Sequence, residues 1–435
     1  MKDARGNPVS TRSSAALAHA EVALWRMASF FDAPLADIDA AIAEDPAWCM
    51  PHLMRANFLL TLTEPSLMPD ARLALTQAQA LMPHATDRER RHLQAATTCA
   101  AGDWRGACVQ WQDILDAHPH DLFALQWAHL FDFYVGDASA LETRPAQALK
   151  QLDAHDPLRP YVLGMHAFGL EENAHYDHAE AVGREATSSA AKVPWATHAV
   201  AHVMEMQGRY TDGLQWLRAN QSMWAEGNGF ANHHWWHTAL FHLEGMDIAA
   251  ALALYDQHLS SPHASITLNR LDGAALLWRL HLLGGHVGAR WLDVAQGWDL
   301  SPAPAGLSTF NDAHAVMVLL GQQRQSDAEA LVDEVQKRVE AGSASEAAVT
   351  MQVGLPLLRG LLAFGREDFA GAVRLLWPLR ADLHRIGGSH AQRAAVIQTL
   401  LVAALRSGNR GLSSALLSNR SAKQNTPLTL HWRHF

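Results

Sequence analysis

The chain is poor in cysteine, tyrosine, charge and long apolar runs, and each shortage excludes something. Its three cysteines, Cys49, Cys99 and Cys108, are an odd, sparse set without CxxC spacing. That rules out a disulfide framework and fits a reducing compartment, with each thiol acting as a small buried hydrophobe. Charged residues make up 18% of the chain, below the about 25% of ordinary soluble proteins, so much of it must be buried. The formal net charge is −10 and no basic run occurs, which excludes nucleic acid as a partner, because phosphates call for clustered Lys and Arg. No stretch reaches about 18 uninterrupted apolar residues, so no membrane span is expected. The opening MKDARGNPVSTRSS lacks the apolar segment of a signal peptide, which leaves the cytoplasm as the expected location. No GxSxG, P-loop, GxGxxG or SxxK motif is present. No β-branched alternation persists over a strand's length, so essentially no sheet is expected.

What remains is helical in texture. From Ala15 on, Ala, Leu, Gln, Glu and Arg dominate and apolar residues recur at three- and four-residue steps. The first expected helix closes at Phe31-Asp32-Ala33-Pro34, the second runs from Leu35 to Ala43, and the third from His52 to Leu62.

The chain also repeats itself. A phrase of the form Gly-x-aromatic-x-x-small-x-x-x-aromatic stands as GDWRGACVQW from Gly102 and GRYTDGLQWL from Gly208. Looser copies begin at Ala174, Gly245 and Gly365. Ala174 and Gly208 lie 34 residues apart, as do Gly102 and Gly136. A period near 34 is the tetratricopeptide length, one helix–turn–helix per repeat. The glycine suits the left-handed position after a helix, and the small residue lets two helices approach. Asp45-Pro46, His118-Pro119 and Asp156-Pro157 then stop helices. At 435 residues the chain is too long for one compact core, so it must split into domains or grow by repetition, and repetition is the reading adopted. The expected layout is a polar tail over 1–14, one all-α TPR-like superhelix over 15–418, and a C-terminal tail over 419–435. Ser301-Pro302-Ala303-Pro304-Ala305-Gly306 marks the candidate seam, near 299–308.

Several phrases together carry a resemblance. They are RERRHLQAA (Arg88–Ala96), DLFALQWAH (Asp121–His129), AFGLEE (Ala167–Glu172), HAVAHVMEMQGR (His198–Arg209), HHWWHTALFHLE (His233–Glu244), DGAALLWRL (Asp272–Leu280), Arg290-Trp291, NDAHAVM (Asn311–Met317) and GGSHAQR (Gly387–Arg393). With these, the chain resembles the tetratricopeptide repeat protein 38 family. The resemblance implies an all-α TPR-like superhelix and no assured activity.

The densest chemistry lies between His198 and Glu244. His198, His202 and Glu205 fall at i, i+4 and i+7 on one helix face, with Pro194 placed to open that helix and Gly208 to close it. On the next polar helix, which Asn232 is placed to cap, His233 and His237 are again i, i+4, and Glu244 lies two turns further on. His234 and Trp235 track neighbouring faces. Successive hairpins of a solenoid present equivalent faces, so the two stripes are expected to converge.

Other contributors are Asp312 and His314, with Asn311 or Asp312 as an N-cap that keeps His314 neutral in the first turn. At Ser389-His390-Ala391-Gln392-Arg393, an N-capping Ser389 with Gln392 and Arg393 would form an anion site. Asp272 and Arg279, at i, i+7, line the interior as ion-paired residues or substrate clamps.

Three readings of the histidine set stand together. It is a self-satisfied polar core network, a small-molecule pocket, or a metal site. H-x3-H is ligand spacing, and a mixed His/carboxylate set suits zinc, iron or manganese. Yet Ala199 stands where HExxH needs Glu, and no residue is assigned as a ligand.

Two functional classes are compatible with these features. One is a scaffold binding a small anionic ligand or a partner segment in a His-lined interior. The other is an enzyme, hydrolase or lyase, with Glu205 or His202 as general base, His237 or His314 as acid, and Arg393 as anchor of an anionic substrate. Histidines in one enclosed site within hydrogen-bond reach would favour the enzyme; histidines scattered along an open groove would favour the scaffold. A homo-oligomer is left open.

Overall fold

The computed structural model describes residues 1–434 and is all-helical; among these residues the only β pairings are isolated bridges, Lys2 with Pro8 and Phe31 with Asn228. Two compact units share the chain. The first comprises Met1–Val200 with Met223–Phe230; the second comprises Ala201–Ser222 with the chain from Ala231 onward. The division falls inside one helix, Pro194–Met206. The expected seam, Ser301 to Gly306, lies within the second unit.

The helices form for local reasons that recur. A residue in the left-handed region ends one helix, and an Asp or Asn just after it caps the next. Gly102 (φ 90°) precedes Asp103, which accepts from the Gly106 amide; Gly136 (φ 68°) precedes Asp137, which accepts from Ala140. In the looser copies of the phrase the left-handed residue is not the glycine that was expected. Met246 (φ 60°) takes that position instead of Gly245, and Glu367 (φ 60°) takes it instead of Gly365. Asp247 and Asp368 still cap the helices after them, so the cap outlasts the glycine.

In the first unit, successive helices from Ser14–Ser29 to Tyr176–Ser189 pack as hairpin neighbours. A buried ionic knot ties two segments of it. Asp121 takes the Arg88 guanidinium at 2.6 Å and the His92 ring at 2.8 Å, and it also caps Leu122–Val135 through the Ala124 amide. Both side chains of the Arg88–Asp121 pair are at most 1% exposed. Burial alone would raise the Asp121 pKa, but Arg88 and His92 hold it well below the ordinary value. The N-terminal residues are not a loose tail. Arg5 pairs with Glu21 and Asp156, and Asn7 donates to the His120 carbonyl.

In the second unit the helices run from Ala231–Glu244 to Pro427–Arg433 around one apolar core. One helical stretch, Ala347–Gly365, is apolar and long enough to cross a membrane, but 67% of it is buried in this core, which accounts for its composition. The C-terminal segment docks, with Leu428 and Trp432 at 1% and 0% exposure; Phe435, the last residue of the HWRHF ending, lies outside the described residues.

Two outcomes are expected. Asp121→Ala strands the buried Arg88 charge and should cost about 3–5 kcal/mol in urea unfolding at pH 7. Because the folded Asp121 pKa is depressed, that cost is present above the unfolded carboxylate value and shrinks as pH falls through the folded one; an equal cost at acid pH would be wrong. Cys49, Cys99 and Cys108 are buried, and burial pushes the Cys49 thiol up to about 12 and Cys108 well above its ordinary value. A colorimetric thiol reagent should therefore find no reactive thiol in the native protein and three after denaturation.

Candidate functional site

The site of the second unit is assembled by three helices. The last turns of Pro194–Met206 carry His202 and Glu205. Ala231–Glu244 carries His233, Trp236 and His237, and Thr267–Leu282 carries Asp272 and Arg279. The spacing of each set puts it on one face of its helix.

Two histidine–carboxylate pairs form the centre. His233 Nδ1 meets both Asp272 oxygens at 3.0 and 2.9 Å, and His237 Nδ1 meets Glu205 Oε2 at 2.9 Å. An ionised carboxylate only accepts, so each Nδ1 is the donor, and in a neutral ring the Nε2 then presents a lone pair. Those two Nε2 atoms face each other at 3.2 Å. His202 stands edge-on to His237, ring centres 4.5 Å apart. One ring nitrogen from each of His202, His233 and His237 lies within 4.8 Å of the others.

The surroundings disfavour charge on two of these rings, His202 and His237. His202 and His237 are fully buried, and burial first, then neighbouring histidines, push both well below the ordinary imidazole value. Trp236 stacks on His233 at 5.0 Å and meets His237 edge-on at 4.8 Å. The Arg279 guanidinium sits 5.4 Å from the Trp236 ring and donates to the carbonyls of Ala275 (3.0 Å) and Ala391 (2.6 Å). Burial lowers the Arg279 pKa to about 10 against the pull of Glu205 and Glu244, so it remains a cation at neutral pH.

Beside this centre lies a small cavity of about 10 Å³, lined by Glu205, Arg279, Gln398, Arg420 and Gln424 among others. Its far side is closed by Glu244, which pairs with Arg420 at 2.5 Å and accepts from Thr426 at 2.6 Å. Gln424 donates to the Glu205 carbonyl at 2.7 Å.

The other candidates take different places. His198 lies one turn before His202 on the same helix, in the first unit, where Phe168, Trp195 and Phe230 surround its ring at 5.5, 5.1 and 4.9 Å. His234 is buried and its charge would act on both His202 and His237. Trp235 is turned out of the centre and stacks flat on His258 at 3.9 Å. Asn232 is the second residue of its helix rather than the cap, and its amide donates to the His258 carbonyl at 2.9 Å.

His314 is not in the first turn of its helix, because Ser308 is the cap. Its Nδ1 turns back to the Phe310 carbonyl at 2.8 Å; burial lowers its pKa to about 4, and the Arg279 charge adds to that. Asp312 accepts from the Gly306 amide at 3.0 Å. Ser389 does cap its helix, but the groups expected to hold an anion are engaged in the cap. Gln392 completes a capping box with Ser389, and Arg393 donates to the Gly388 carbonyl. His390 comes directly after Ser389, and its charge would act on His202.

Trp236, Arg420 and Gln424 are the members that sequence reasoning missed. Trp236 had a signal, since it is i+3 from His233 and shares its face. Arg420 and Gln424 had none, because they reach the site from 176 and 219 residues away in sequence.

No model of a known protein family matches the chain.

The fully buried Asp312 supplies a test that is independent of function. Burial raises its pKa to about 7, so the folded state binds a proton that the unfolded state releases. Stability should therefore fall as pH rises from about 4 to 7. Asp312→Asn keeps the bond to Gly306 and should flatten that slope while stabilising the protein at pH 8 in thermal melts. An unchanged slope would contradict the assignment.

Proposed function

We propose that this chain is an enzyme, a hydrolase or lyase, acting on a small anionic substrate at the histidine–carboxylate centre of its second unit. The observation that carries this reading is the arrangement of His233 and His237. Each is oriented by its own carboxylate through Nδ1, and the two meet through Nε2 at 3.2 Å in a buried site. A passive polar core needs satisfied groups; it has no need of neutral imidazoles aimed at one another, which is how a reactive centre is prepared. Arg279 supplies a cation beside the centre for a carboxylate or phosphate.

The repeat phrases and hairpin turns support membership of the tetratricopeptide repeat protein 38 family and a TPR-like superhelical scaffold around this centre. Buried thiols without disulfides support a cytoplasmic home. A second reading, ligand binding without turnover, is favoured by the closure of the cavity through Glu244, Arg420 and Gln424, which suits retention of a ligand.

Untargeted mass spectrometry of a small-metabolite extract incubated with the protein separates the readings. The enzyme reading expects one or more anionic compounds to be consumed by the wild type, and at least 100-fold more slowly by His237→Gln. Depletion that is stoichiometric with protein would favour binding alone, and consumption equal in both proteins would show that the centre has no part in the chemistry.

A further inference from the structure

Two polar clusters of the first unit are accounted for by structure. The Arg88–His92–Asp121 knot is closed by its own charges, and Asp132 is matched by Arg144. The centre of the second unit is different, because its own bonds leave an electrostatic conflict.

With Glu205 and Asp272 each accepting from an Nδ1–H, His237 and His233 turn their Nε2 lone pairs toward each other at 3.2 Å. Two acceptors at that distance repel unless a cation lies between them, and the choices are a proton or a metal ion.

The spacing itself speaks for a metal. Two nitrogen ligands at about 2.0–2.1 Å from a tetrahedral ion stand about 3.3 Å apart, close to the separation found here. His202 brings a third ring nitrogen within 4.8 Å of the other two. The backing carboxylates complete the pattern, because metal-bound imidazoles characteristically donate their other N–H to a carboxylate, which fixes the ring and raises its basicity. Glu205 and Asp272 also supply two negative charges behind the ligands.

We propose that His202, His233 and His237 bind a divalent first-row transition metal of the zinc class, with Glu205 and Asp272 orienting two of the three ligands. The inference rests on the reading of this centre as catalytic only for what the metal would do there; the binding site stands on geometry alone.

The test uses the full-length protein, stripped with a chelator and titrated with Co²⁺ as a coloured stand-in for zinc. The expected result is one equivalent of Co²⁺ per chain, with the intense visible bands of a four-coordinate nitrogen site, displaced by one equivalent of Zn²⁺. His233→Ala should abolish the bands. Asp272→Asn, which keeps the ligands and their packing, should weaken Co²⁺ binding by about 10–100-fold while its circular dichroism and melting stay near wild type. No bands in the wild type, or bands of equal strength and affinity in a folded Asp272→Asn protein, would overturn the proposal. The two readings fail separately. Substrate consumption that persists after chelation would overturn the metal and leave the enzyme, whereas stoichiometric Co²⁺ binding without any consumed compound would support the metal and remove the turnover.

Discussion

An imidazole whose Nδ1 donates to a carboxylate has only its Nε2 lone pair left to offer, and two such lone pairs 3.2 Å apart need something positive between them. That constraint organises the second unit. Glu205 comes from one helix, His233 and His237 from the next, and Asp272 from a third, so the two pairs tie three helices together at the point where the conflict arises. Placing so many polar groups at 0–8% exposure, with His233 at 12%, is costly unless each is matched. The surrounding bonds supply the matching. Arg279 directs its hydrogen bonds to the Ala275 and Ala391 carbonyls, and Glu244 is neutralised by Arg420 and hydrogen-bonded by Thr426. The chain's low content of charge and wealth of tryptophan fit this design, because the site is set into apolar packing against Trp236 rather than laid on a surface.

The two units use similar chemistry to different ends. In the first, Asp121 is met by a permanent cation, Arg88, as well as by His92, so the knot balances within itself and its value is stability. In the second, Glu205 and Asp272 are met directly by imidazoles, and the nearest guanidinium, Arg279, bonds backbone carbonyls instead. A carboxylate satisfied by arginine leaves nothing over for chemistry. A carboxylate satisfied by a neutral histidine passes its influence through the ring to the far nitrogen.

Much of the fold was legible in the sequence because its signals are local. The three-to-four-residue apolar spacing marks helices, and the stops at Asp45-Pro46 and His118-Pro119 coincide with helix ends at Glu44 and Ala117. The turn signal was legible in part, since Asp103, Asp137, Asp247 and Asp368 all cap helices whether or not glycine takes the left-handed position before them. Of the site, the pairs His202–Glu205 and His233–His237 could be read from helical spacing. Which of them would touch could not, nor could the contributions of Arg420, Thr426 and Gln424, because those contacts join segments far apart in sequence. Trp235 and Trp236 show how fine the limit is. Adjacent and identical, they point about 100° apart on the helix, and only the packing of Trp235 on His258 decides which of them faces the centre.

The central claim is that a cation belongs between these imidazoles. The most direct measurement is a crystal structure of the protein as purified, without chelator, with diffraction recorded above and below the zinc absorption edge. The claim predicts an anomalous peak about 2.0–2.1 Å from a ring nitrogen of each of His202, His233 and His237, with Glu205 and Asp272 still on the Nδ1 atoms of His237 and His233. Refined density showing the His233 and His237 Nε2 atoms in direct contact, with no anomalous peak there in crystals grown with added Zn²⁺, would contradict it.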